Sequence, residues 1–175
     1  MQKIPTMFVR DESKPNHPMT DTVKPECQWV LDGEGIATEK RDGTNVKVEN
    51  GQLFKRQKPK ERDYNDASYV ACDRSSPNDK WAYEGFDYME QPVSDGIYEL
   101  VGPKVQGNPD KYTAHALVRV VPPGATLTIT RPITRTFDGL REYLTTWPIE
   151  GLVFHHPDGR MAKIKRRDFG IKWPV

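Results

Sequence analysis

Asn50-Gly51 follows the alternating segment Asn45–Glu49 and precedes Gln52–Arg56, and this arrangement constrains the fold more than any other feature of the chain. Asn-Gly supplies the two positive-φ residues of a tight hairpin turn, so the flanking segments read as antiparallel partners. A second hairpin is expected from Gly151–Phe154 and Met161–Ile164, which flank His155-His156-Pro157-Asp158-Gly159. Ile97–Val101 and His115–Val121 read as buried strands, and the β-branched stretch Leu127–Thr130 as another. Phe137–Leu144 sets Phe137, Leu140, Tyr143 and Leu144 on one helical face behind Thr136 as cap. Asp79–Met89 reads as a further helix, with Ser76 or Asn78 as its cap and Pro77 near its start. Before Leu31, the prolines at 5, 15, 18 and 25 point to irregular chain with short strands. Many short strands and a few helices define an α+β class built on antiparallel sheet.

The length of 175 residues suits one domain with a real core, and the expectation is a single domain over residues 1–175. No run of about 18 apolar residues occurs, so no membrane-spanning helix is expected. The segment Met1–Arg10 is polar, charged and interrupted by a proline, unlike the apolar core of a signal peptide. Cys27 and Cys72 fit neither a zinc spacing nor a disulfide framework, which makes a reducing, cytoplasmic location the default. The net charge is near neutral but unevenly spread. Residues 40–62 hold eight Lys/Arg against three Asp/Glu, and residues 155–175 hold six against two. Residues 63–99 hold nine acids and two bases. Two basic segments of this kind can form an electropositive face that attracts phosphate.

Four short motifs follow one another in order. They are Glu39-Lys40-Arg41-Asp42-Gly43-Thr44-Asn45, then Tyr98-Glu99-Leu100-Val101-Gly102 running on to Pro109, then Glu150-Gly151-Leu152-Val153-Phe154, then Lys163-Ile164-Lys165. Each alone has a plain structural explanation: a turn beside a lysine, a buried strand, two exposed lysines on a strand edge. Their chemistry is nonetheless coherent. An amine that attacks a phosphate must be neutral, whereas a free lysine has a pKa of about 10.4. Burial and nearby cations lower that value, and Lys163, Lys165 and Arg56 are the cations that could supply the field around Lys40. Lys163 and Lys165 are two apart, so on a strand they share one face and suit a polyphosphate.

In that order the motifs resemble motifs I, III, IV and V of the covalent nucleotidyltransferases, the group of RNA ligases, DNA ligases and mRNA-capping enzymes. Lys3-Ile4-Pro5-Thr6-Met7-Phe8, Gly102-Pro103-Lys104-Val105-Gln106-Gly107-Asn108-Pro109 and the segment Lys163–Pro174 are similar to a small RNA ligase family typified by the vertebrate 5′-3′ RNA ligase. The resemblance implies a nucleotidyltransferase (ATP-grasp-like) domain of antiparallel sheets with a few flanking helices. It implies that Lys40 forms a lysyl-AMP phosphoramidate, with Glu39 near the adenine edge and Asp42, Gly43 and Asn45 lining the pocket. Arg56 would contact phosphate or the RNA end, Glu99 the ribose, and Lys163 and Lys165 the α-phosphate. Glu150 would bind Mg2+ or Mn2+. ATP would adenylylate Lys40, AMP would pass to an RNA 5′-phosphate, and a 3′-hydroxyl would displace it, as in RNA repair.

Two departures stand out. The stretch His115–Val120 carries no aromatic where many members of the wider group stack one on the purine, which leaves aliphatic side chains or Tyr112 for that role. His115 itself reads as a structural histidine. The chain also runs only ten residues past Lys165, so no C-terminal OB or accessory domain is expected, which argues against a DNA ligase or capping enzyme. A GTP-dependent capping-type transferase and a non-catalytic RNA-binding module with a decayed site are the competing readings. The expected partner is RNA with 5′-phosphate and 3′-hydroxyl ends, its path along residues 40–62 and 160–172, Arg166 and Arg167 included. The sequence leaves the oligomeric state open, a monomer included.

Overall fold

The computed structural model describes residues 3–57, 68–121 and 123–174. Lys58–Arg62 of the first basic segment, and the start of the acidic one, therefore lie outside the described residues. In chain order the elements are β1 (Phe8–Arg10), β2 (Met19–Val23), α1 (Gln28–Leu31), β3 (Ile36–Lys40), β4 (Thr44–Glu49), β5 (Gln52–Arg56), β6 (Tyr69–Ala71), α2 (Lys80–Asp87), β7 (Gly96–Val101), β8 (Ala116–Val121), α3 (Phe137–Thr146), β9 (Gly151–His155) and β10 (Met161–Lys165). Every named strand pairing is antiparallel, and the helices are few, which is the α+β architecture expected. Among the described residues no helix is long and apolar enough to cross a membrane.

The chain divides into two compact units, and it passes from one to the other between Lys40 and Arg41. The first unit, Ile4–Lys40 with Ala125–Val175, holds a three-stranded sheet in the order β10-β9-β3 and the ribbon β1-β2. One face of that sheet presents Ala37, Leu152, Phe154, Ala162 and Ile164 to a cluster that includes Leu140, Tyr143 and Leu144 of α3. Leu140, Leu144, Leu152 and Phe154 are fully buried, each contributing about 2 kcal/mol. The α3 face predicted from spacing is the one that packs, and Thr136 caps the helix by accepting the Gly139 N–H at 3.1 Å.

The second unit, built on Arg41–Gly124, is a five-stranded sheet in the order β6-β5-β4-β7-β8. Asn50 and Gly51 both have positive φ, and Glu49 pairs with Gln52, so the hairpin forms as the sequence dictates. Val46, Val48, Leu53, Tyr98, Leu100 and Leu117 cluster with Ala82 and Phe86 of α2 on one side of this sheet.

Two expectations are corrected. Leu127–Thr130 is not a strand: Ala125–Leu127 is a 3-10 turn, and the chain meets β3 through an isolated bridge at Thr128 and the Ile129 N–H on the Ala37 carbonyl. Leu127 is buried at that turn, and Pro132 cannot extend a ladder because it has no N–H. The helix expected from Asp79 opens instead as a 3-10 turn, Pro77–Asp79, and becomes α-helical at Lys80. Neither Ser76 nor Asn78 caps it with a side chain. Asp79 turns inward and accepts from the Lys55 ammonium at 2.6 Å and the Asp73 N–H at 2.9 Å.

Candidate active site

Lys40 ends β3, and the sheet register decides what surrounds it. Lys40 pairs with Gly151 of β9, and Gly151 pairs with Lys165 of β10. Directly paired residues share a face, so Lys40 and Lys165 flank Gly151 in one transverse row, with backbones about 10 Å apart. The next row is Thr38, Val153 and Lys163, two residues along and thus on the same face. The structure therefore brings Lys40, Lys163 and Lys165 onto one side of the sheet, opposite its core. A Cβ at Gly151 would collide with the Ile164 carbonyl oxygen, so glycine is what lets β9 and β10 close at the centre of that row.

Glu150 stands immediately before β9 rather than within it. Its carboxylate is buried, with 8% of the residue exposed. Oε2 accepts a hydrogen bond from Lys40 Nζ at 2.6 Å. A carboxylate thus joins the cations Lys163 and Lys165 that share the face with Lys40. A carboxylate removed from water is stable as an anion only when paired, so the contact fixes both side chains. On the same face, burial pushes the His155 ring below its usual pKa, and its Nε2 lies 3.1 Å from Thr38 Oγ1.

Glu39 is not brought onto this face. The alternation of β3 turns it the other way, opposite Leu152, where it accepts from Arg131 Nη2 at 3.1 Å. Arg131 in turn donates to Tyr143 Oη at 2.5 Å and lies 4.0 Å from the Trp147 ring centroid. Sequence reasoning missed Arg131, because it lies in irregular chain with no periodic signal.

The remaining predicted residues belong to the second unit. Asn45 pairs with Glu99 across β4 and β7, and Arg56 pairs with Tyr69 across β5 and β6. All four occupy the sheet face opposite the cluster of Val46, Leu53 and Leu100. Tyr69 Oη donates to Asn45 Oδ1 at 2.5 Å. Its phenol pKa is raised, first by burial; the Arg56 charge opposes this and the Glu99 charge adds to it. Phe54 shares the face, with Lys47 Nζ 5.9 Å from its ring centroid. The aromatics here therefore come from β5 and β6, while β8 presents Val118 beside Glu99. Tyr69 was missed because β6 has only three residues, too few to show alternation.

A Cβ at Gly43 would strike the Leu100 carbonyl, so the close approach this glycine permits here is to β7. The Asp42 N–H and Arg41 Nη1 both reach Asp110, at 3.4 and 3.3 Å. His115 is structural, as expected: it is buried, stacks on Trp81 at 4.7 Å, faces Glu84 through Nδ1 and accepts the Lys104 N–H at Nε2. The segment proposed as an RNA path needs one correction. Arg166 is 4% exposed and donates to the carbonyls of Leu144, Trp147 and Lys172, so it braces the core and offers nothing to a ligand. Arg167 is exposed.

Three lysines on one sheet face, one of them hydrogen-bonded to the buried Glu150 carboxylate, form a cationic cluster in an α+β unit. The RNA ligase 1 family matches residues 87–175, which include Glu99, Glu150, Lys163 and Lys165. A protein from Danio rerio named RNA ligase 1 is 35% identical over 97 residues, covering 51% of this chain and 27% of that protein. RNA ligase 1 of Rattus norvegicus is 28% identical over 172 residues, covering 86% of this chain and 50% of the relative. The chain thus belongs to the RNA ligase 1 family. It spans about half the length of the rat relative, and the match to the zebrafish relative covers less.

Proposed function

We propose that this chain is an ATP-dependent RNA ligase in which Lys40 carries AMP. The observation that supports this best is the Lys40–Glu150 pair at 2.6 Å, on the face that also presents Lys163 and Lys165. Glu150 holds the amine at the end of β3 before nucleotide arrives. As the nucleotide enters, Lys40 gives its proton to solvent. The Lys40 Nζ then attacks the α-phosphorus of ATP; an N–P bond forms, the bond to the bridging oxygen breaks, and pyrophosphate leaves. Lys163 and Lys165 offset the negative charge on the phosphoryl oxygens. A 5′-phosphate oxygen of RNA next displaces Lys40 from phosphorus. Finally a 3′-hydroxyl attacks that 5′-phosphate, releasing AMP and sealing the strand.

The donor set suits magnesium or manganese carried in on a polyphosphate. Among the described residues no group of three His, Cys, Asp or Glu could cage a metal, and magnesium needs only one or two carboxylates beside phosphate and water oxygens. Glu150 would hold the ion, which supplies charge neutralisation at the phosphates. Asn45, Arg56, Tyr69 and Glu99 form the proposed contacts to nucleotide and RNA end in the second unit.

The test is intact mass after incubation with magnesium and ATP, or with GTP. The wild type gains one AMP and Lys40→Ala gains nothing. An adduct on Lys40→Ala refutes the assignment, and an adduct from GTP alone replaces it with capping-type chemistry.

A further inference from the structure

The end of β10 leads into a second basic feature that the ligation chemistry leaves unused. The 3-10 turn Arg166–Phe169 follows Lys165 directly. It sends Arg166 into the core and Arg167 outward. Arg167 lines an open groove of about 450 Å³ together with Arg10, Asn16, Arg141, Asp168 and Phe169. The whole lining belongs to the first unit.

The charges in this groove are not equivalent. Asp168 is buried, with 5% of the residue exposed, and it is the one carboxylate of the lining. It is used internally: Oδ1 accepts from Arg10 Nη2 at 2.5 Å, and Oδ2 accepts the Lys165 N–H at 2.9 Å. Arg10 also donates to the His17 carbonyl at 3.0 Å, which fixes its guanidinium. Arg10 and Asp168 therefore nearly cancel. Arg141 on α3 and Arg167 have no ion-pair partner among the described residues, so the groove keeps a net positive charge. Phe137 and Phe169 both line the groove and pack edge-to-face, with centroids 5.1 Å apart. Guanidinium forks and aromatic rings lining one groove match the two repeating parts of a single nucleic-acid strand, phosphate and base face. The volume suits about one nucleotide.

We propose that this groove is a docking subsite for single-stranded RNA, with Arg141 and Arg167 on its phosphates and Phe169 against a base. The proposal rests on the ligase reading for the identity of the strand, but it is tested by binding. The probe is a fluorescent, 5′-phosphorylated single-stranded RNA, followed by anisotropy at several salt concentrations. The proteins are wild type, Arg141→Glu, Arg167→Glu and, as a matched charge reversal elsewhere, Lys80→Glu. Each arginine variant is expected to bind about tenfold more weakly and to lose about one unit of the salt slope. Lys80→Glu stays within about twofold of wild type. If a reversal lowers Tm, Arg141→Gln and Arg167→Gln replace it, since both positions are exposed. Arginine variants that match Lys80→Glu overturn the proposal, as does a wild type that fails to bind the RNA. Equal binding of poly-glutamate or of anionic phospholipid vesicles overturns the choice of RNA. Self-adenylylation, read in parallel by intact mass, separates the two ideas: its absence in wild type removes the ligase mechanism, while the anisotropy still judges the groove.

Discussion

Lys40 Nζ lies 2.6 Å from Glu150 Oε2, although 110 residues separate them in the chain. The pair forms because β3 and β9 run antiparallel with Lys40 opposite Gly151, which sets Glu150 at the end of the same ladder. Of the two side chains, 23% and 10% are exposed, so the contact is only partly screened by water. Removing one partner takes a short charge-assisted hydrogen bond from the other. Glu150→Ala is expected to cost about 3 kcal/mol of stability and to slow adduct formation by about a hundredfold or more. Glu150→Gln keeps the shape and loses the charge, so it should restore most of the stability but little of the rate. Denaturant melts and intact-mass time courses read the two effects; a Gln variant with wild-type rate would remove Glu150 from the chemistry.

Arg166 and Arg167 are neighbours with opposite fates. Arg166→Ala leaves the carbonyls of Leu144, Trp147 and Lys172 without their donor and should destabilise by about 3 kcal/mol. Arg167→Ala should stay within about 0.5 kcal/mol. Urea melts of the two variants, run side by side, check the contrast.

At Gly151 there is no room for a methyl group against the Ile164 carbonyl. Gly151→Ala should therefore push β10 off β9 and cost about 2 kcal/mol. Because Lys165 rides on β10, adenylylation should fall even at temperatures where the variant remains folded. A variant with wild-type melting and rate would show that the strands yield without cost.

Tyr69→Phe removes the donor to Asn45 Oδ1 and should cost about 1 kcal/mol. If Asn45, Arg56 and Glu99 act on nucleotide, the half-saturating ATP concentration for adduct formation should rise more than the limiting rate falls. A change in limiting rate alone would count against that role.

Burial raises the thiols of both Cys27 and Cys72 from 9.0 to about 11. Unfolded chain then loses these protons first as pH rises, so their contribution to stability is intact below about pH 9 and disappears between about pH 9 and 11. Native protein at pH 8 should resist iodoacetamide, whereas protein in denaturant should take up two labels. Rapid labelling of either thiol in the native state would contradict the burial.

The parts of this protein legible in the sequence are those decided within a few residues. Asn50-Gly51 demands positive φ at both positions, so the hairpin of β4 and β5 follows from two side chains. Thr136 caps α3 because its hydroxyl reaches only three residues ahead. Lys163 and Lys165 share a face because any strand alternates. What stayed illegible depends on partners distant in sequence. Leu127–Thr130 has the composition of a strand, but whether it pairs is set by how the chain meets β3, and it meets it at one bridge. Arg166 reads as surface charge until α3 offers it the Leu144 and Trp147 carbonyls. Glu39 and Lys40 are adjacent in the first motif, yet only the docking of β3 on β9 decides which faces the core and which faces Glu150. The sequence by itself determined the local geometry and the inventory of charged groups, because those depend on short-range sterics and chemistry. The tertiary structure alone decided which charges are buried, which are paired and which remain to meet a ligand, because each of those depends on surface removed from water by distant parts of the chain.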